Sequence, residues 1–163
     1  MREYLHLCAQ LQRNAFVVWV TNSVLVSVMV WLSHYFSLFL TIGAMTMVNL
    51  RVLGVAARKQ TMTQVADLYS RWMWIGLVIL FVSGSLMLAG DALLFCTNGV
   101  FGTKLLLIVL AAISGVVIQS RVRKWDELPS TPLGAKAFAF VSVLLWIGTI
   151  LAAVDVPAFT DVP

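Results

Sequence analysis

An all-α integral membrane protein, a bundle of four transmembrane helices with an N-terminal interfacial helix, is the fold class this sequence predicts. Three observations carry that reading. The 163-residue chain is 61% hydrophobic and only 11% charged, with a mean hydropathy of +0.95, whereas a soluble domain carries about 25% charged residues. A chain this short cannot hide so much apolar surface in a water-facing fold, because small domains leave much of their surface exposed. Finally, its 11 Lys and Arg and 7 Asp and Glu gather in a few clusters, leaving four charge-free stretches.

The first stretch, Asn14 to Leu50, is longer than the about 20 apolar residues that cross a 30 Å hydrocarbon core. It reads as an interfacial or tilted helix over about 3–22, a bend at Asn22 and Ser23, and one true span over about 25–50. Five spans is the alternative, because no Pro or Gly interrupts Asn14 to Leu40, but two spans need about 40 residues plus a turn. The stretches Trp72 to Gly90, Leu105 to Ser120 and Ala137 to Val154 fit one span each, giving spans near 72–90, 104–121 and 137–155. The N-terminal apolar run is far longer than the roughly 7 to 15 residues of a signal-peptide core, and no small-residue cleavage site follows it. No repeat, low-complexity tract or Pro/Gly linker divides the chain. Residues 1–163 read as one membrane domain.

Orientation follows from the excess of Lys and Arg in cytoplasmic loops. The first loop region holds Arg51, Arg58, Lys59 and Arg71 against Asp67, and the third holds Arg121, Arg123, Lys124 and Lys136 against Asp126 and Glu127. The middle loop has only Asp91 and Lys104, and the C-terminal tail only Asp155 and Asp161. Loops one and three are therefore expected in the cytoplasm and both termini outside. Those loops account for the net charge of +4 without a nucleic-acid partner. The partners expected are the lipid bilayer and other membrane subunits. Cys8 and Cys96 both fall on the outer side, where an oxidising compartment permits a disulfide; sequence leaves open whether the sulfurs meet.

In lipid, helices approach through small residues. Gly43 and Ala44 offer such a face in the first span, Gly76, Ser83, Gly84 and Gly90 in the second, Ala111 and Gly115 with Ser114 beside them in the third, and Gly148 and Ala152 in the fourth. Intramembrane ionisable groups are costly and often functional. His34 is the one histidine in a span, and counting back from Arg51 at 1.5 Å per residue puts it roughly 25 Å from the cytoplasmic edge. A histidine there can ligate haem or copper, or act as a neutral imidazole bonded to a Ser or Tyr hydroxyl within the bundle, such as that of the neighbouring Ser33 or Tyr35. His6, on the outer segment, is the tentative second ligand.

The run His34 to Gly54, with its mid-helix Gly43 and its exit Asn49-Leu50-Arg51-Val52-Leu53-Gly54, resembles a bacterial family of four-helix inner-membrane proteins of unknown function. Ser83-Gly84, Asp91-Ala92, Asn98-x-x-Phe101-x-x-Lys104 and Ser142 to Trp146 extend the resemblance over most of the chain. It implies a multi-pass protein of the bacterial inner membrane, with structural roles for Gly43, Asn49, Arg51, Gly84, Asp91, Asn98 and Lys104. Two departures stand out. Asn49 occupies a position where the family tends to have Asp, and Ala152-Ala153 stand where a Gly-Arg pair is usual.

Comparison with four-helix b-type cytochromes and copper-resistance membrane proteins is one of fold alone. Two bis-histidine haems are excluded, because the chain has two histidines. A single b-type haem would use His34 with His6 or a methionine such as Met45, Met47, Met73 or Met87. No Cys-x-x-Cys, His-Glu-x-x-His, phosphate-cradling loop or Gly-x-Ser-x-Gly occurs. No carboxylate lies at mid-span, against a proton-driven transporter. The reading favoured is a small non-catalytic membrane subunit that docks on and stabilises a larger complex, such as one of electron transport or photosynthesis. The alternative is a haem- or copper-binding redox protein using His34.

Overall fold

The computed structural model describes residues 2–97 and 99–158, with side chains over 5–97 and 101–152. These residues form seven helices: α1 (Arg2–Gln12), α2 (Ala15–Asn22), α3 (Val24–Val52), α4 (Met62–Gly90), α5 (Ala92–Thr97), α6 (Gly99–Asp126) and α7 (Leu133–Ala158). Four of them, over Val24–Val52, Met62–Gly90, Phe101–Asp126 and Leu133–Ala152, are long and apolar enough to cross a membrane.

The single helix expected over 3–22 is two. The chain breaks at Asn14, whose backbone is extended and whose Oδ1 accepts the Phe16 N–H at 3.0 Å, which caps α2. An asparagine competes for local backbone donors and so favours a cap over a helix interior. The bend expected at Asn22 and Ser23 falls at Ser23, where the backbone leaves helical geometry (φ −83, ψ 106) before α3 begins.

The long helices overrun their apolar spans into the charged loops, and local chemistry sets each boundary. At Val52, α3 stops in a Schellman turn. Gly54 sits at φ +77, its N–H donates to the Arg51 carbonyl at 3.0 Å, and the Val55 N–H donates to Leu50 at 2.9 Å. Glycine takes the left-handed position there because it has no Cβ to clash. At its start, α4 is closed by a capping box: Thr61 Oγ1 accepts from the Gln64 N–H, and Gln64 Oε1 accepts from the Thr61 N–H. Asp126 then reaches from the end of α6 and accepts the Met62 and Thr63 N–H groups, at 2.9 and 2.6 Å, one on each carboxylate oxygen. A carboxylate against unpaired N–H groups at a helix N-terminus is favourable electrostatically.

The most extensive pairings are the two antiparallel hairpins, α3 with α4 and α6 with α7. One apolar cluster, with Val48, Val52, Val65 and Ile118 at its centre, joins the hairpins at the loop end. A second, made by Met45, Met73, Ala111 and Trp146, fills the middle. A Cβ on Gly76 would collide with Thr41 Oγ1 and stand 3.1 Å from the Ser37 carbonyl. One on Gly115 would meet the Met45 methyl at 2.9 Å. Gly43 departs from expectation. It is exposed, with nothing within 4 Å of a built Cβ, because the inward stripe of α3 runs through Ser37, Thr41, Ala44, Met45 and Val48. Its neighbour Ala44 makes the packing contact instead.

At the opposite end from the basic loops, α1 packs on α5. A disulfide between Cys8 and Cys96 joins them, spanning 88 positions with the Cα atoms 6.7 Å apart.

Candidate functional site

The ionisable group inside α3, His34, faces α4. Its Nδ1 lies 3.1 Å from Ser83 Oγ. Ser83 Oγ in turn lies 2.6 Å from the Ile79 carbonyl, and a hydroxyl has one proton to give. Which partner takes that proton sets the tautomer: a serine donating to the carbonyl leaves Nδ1 as the ring's donor, and a serine donating to Nδ1 leaves Nε2 as the donor. Beside Ser83, the absent side chain of Gly84 makes room for the imidazole: a Cβ there would stand 3.1 Å from Cε1 and 3.6 Å from Nδ1. The edge of the ring also meets Tyr35 at a centroid distance of 6.1 Å. Ser37, one turn on, donates its hydroxyl to the His34 carbonyl at 2.8 Å. His34 is half-buried, and the Lys104 ammonium on α6, also half-buried, stands within electrostatic reach of it.

An imidazole bonded through Nδ1 with Nε2 open is the arrangement a metal-ligating histidine uses. It serves equally as a neutral polar link between two packed helices. His6 is exposed on α1, which packs mainly on α5 and less on α4 and α2. No group of three or more His, Cys, Asp or Glu side chains gathers among the described residues.

A second polar set lies deeper, toward the basic loops. Asn49, with no exposed surface, donates from Nδ2 to Ser142 Oγ at 3.3 Å. Ser142 shares a hydrogen bond of 2.8 Å with Ser114, and Ser114 bonds the Ala111 carbonyl at 2.7 Å. The chain ties α3, α6 and α7 together. Near it, Asn49 Oδ1, Thr41 Oγ1 and Trp146 Nε1 are buried without a protein partner, a costly state in an apolar interior.

The remaining sequence-derived positions serve helix ends. Arg51 Nε donates to the Gln60 carbonyl at 2.6 Å and draws the first basic loop onto α3. Asp91, exposed, terminates α4 through its N–H, which donates to the Met87 carbonyl. Asp91 and Lys104 are not paired: among the described residues the ion pair is Arg123 with Asp67, at 3.8 Å. Asn98 lies outside the described residues. The sequence marks Ser114 and Ser142 only as small polar residues on the small-residue faces of their helices, and nothing local marks Asp126.

Fold and site together define a class, a multi-pass helical membrane bundle with one histidine clasped at a helix seam. No protein-family model, curated protein or solved structure matches the chain.

Proposed function

We propose that this protein is a small, non-catalytic subunit of a bacterial inner-membrane complex, docking through its disulfide-bearing end. The observation that carries the reading is the way α1 is presented. Cys8 is buried and fastened to α5, while Leu7 and Leu11, one turn apart on the same helix, are 63% and 45% exposed. Two leucines held outward on a short helix, outside the long apolar spans, form a surface suited to a partner. Inside the bundle, Asn49, Ser114, Ser142 and Ser83 bond across or along helices, which suits a scaffold.

The orientation proposed puts α1, α5 and the far end of α7 in the periplasm. Two features support it: the Lys and Arg excess around Arg51–Lys59 and Arg121–Lys124, and the disulfide, a bond that persists in oxidising compartments. The resemblance to the bacterial four-helix family gains a physical sense on this reading, since its His34, Ser83 and Gly84 positions meet at one seam. The test is photo-crosslinking in native membranes, with a benzophenone side chain placed at Leu7 or Leu11 and at lipid-facing Phe39 as control. Protein adducts from α1 and none from Phe39 are expected. Lipid adducts alone from all three positions would refute docking through α1.

A second reading rests on Nε2 of His34, the ring nitrogen that Ser83 does not engage: a single haem or copper ligated there. A reducible Soret band or stoichiometric copper in the purified protein, lost in His34→Ala, would establish it and displace the scaffold reading.

A further inference from the structure

Outward of the His34–Ser83 contact, the seam between α3 and α4 opens. Val30 and Ser27 lie about one and two turns before His34 on α3, and Met87 and Gly90 lie one and two turns after Ser83 on α4. These four residues line a cleft of about 520 Å³. That size falls within the about 300–1,000 Å³ usual for sites that hold small molecules. Trp31 and Phe95 add aromatic walls, and Asp91, exposed at the end of α4, is the acidic residue of the lining.

The cleft stays open because its frame is fixed. At one corner α2 touches α4 closely: a Cβ on Gly90 would stand 2.9 Å from the Thr21 methyl. At another, α5 is tied to α1 by the Cys8–Cys96 bond. Neither helix can close over the gap without moving those contacts. A mainly apolar cleft on a membrane bundle suits lipid better than water, which needs 2–4 polar partners.

Asp91 selects which lipid. Its side chain is exposed at the end of α4, and among the described residues the ion pair formed within the chain, Arg123 with Asp67, lies at the opposite end of the bundle. From Asp91 to Leu86, the deepest α4 residue in the wall, the rise is about 7 Å at 1.5 Å per residue. That depth takes a headgroup at the rim and the first methylenes of an acyl chain beneath it. We infer that the cleft seats a phospholipid with a primary-ammonium headgroup. The ammonium lies against Asp91, Ser27 offers a hydroxyl toward the ester region, and the upper chain runs along Val30, Trp31 and Met87. An anionic headgroup is disfavoured by the same carboxylate.

The experiment is native mass spectrometry of the purified chain released from micelles doped with palmitoyl-oleoyl phosphatidylethanolamine or its phosphatidylglycerol counterpart. Wild type is expected to retain the ethanolamine lipid about fivefold more than the glycerol lipid, the scale of one charge interaction at a membrane surface. Asp91→Asn is expected to erase that preference, and Met87→Trp, which fills the cleft, to reduce retention of both lipids. Equal retention of the two lipids by wild type, or a preference that survives Asp91→Asn, overturns the charge assignment. Ethanolamine-lipid retention that survives Met87→Trp moves the lipid out of the cleft. A wild-type dimer free of lipid shows that a second copy fills it.

Discussion

His34 bonds Ser83 across the seam of α3 and α4, and the same seam closes tightly at Gly76. Ser83→Ala deletes the hydroxyl that bonds Nδ1. It is expected to cost about 1 kcal/mol, the usual net worth of one hydrogen bond, and to free the ring to change tautomer. Imidazole ¹⁵N shifts check this directly: wild type should show one tautomer, and the variant a mixture. Gly76→Val drives a side chain into Thr41 and the Ser37 carbonyl. A loss of about 1–3 kcal/mol, typical of overpacking, is expected from unfolding in mixed micelles. His34 was legible in the sequence because a lone ionisable group in an apolar run is conspicuous. Its partner was visible only as one small residue among several, since nothing in a linear pattern says which serine of α4 meets which residue of α3. Gly43 misled for the opposite reason: a mid-helix glycine suggests close packing, and only the rotation of α3 shows that it points outward.

Among the elements, the short helices and the helix ends depend on single residues. Asp126 holds the first two N–H groups of α4 from another helix. Asp126→Asn keeps the shape but loses the charge and one of the two acceptor oxygens. About 1–3 kcal/mol should be lost, as for hydrogen bonds to charged groups, with amide exchange accelerating first at Met62 and Thr63. The disulfide acts at the other end. With Cys8→Ser and Cys96→Ser, the loop it closes opens, and a loss of about 2–5 kcal/mol is expected. Trypsin should then cut after Arg13 faster than in the oxidised protein. The four spans were legible from charge spacing alone, because charges mark where lipid ends. The further turns of α4 and α6 were not, because their helices are extended by a capping box and a cross-helix carboxylate rather than by apolar sequence. The break at Asn14 follows from cap chemistry that a polar residue before an apolar run does signal.

As a whole, the molecule is two helical hairpins joined through a polar chain and two apolar clusters, with a bonded cap of short helices at one end. Its class was readable from composition, because 61% hydrophobic residues in 163 admit no water-facing fold. Whether any face docks a partner was not, because a docking surface in or beside lipid differs little in composition from one that meets acyl chains. What singles out α1 is geometric: Cys8 turned in and bonded, Leu7 and Leu11 turned out. The scaffold reading therefore turns on one measurement, the mass of the assembly carrying this 18.0 kDa chain after membranes are dissolved in mild detergent, for wild type and for Leu7→Lys with Leu11→Lys. The account predicts that wild type migrates in an assembly several times its own mass, and that the double variant, still folded and disulfide-bonded, falls to the size of the lone chain in its micelle. A wild-type chain that migrates alone, or a double variant that stays in the assembly, would contradict it.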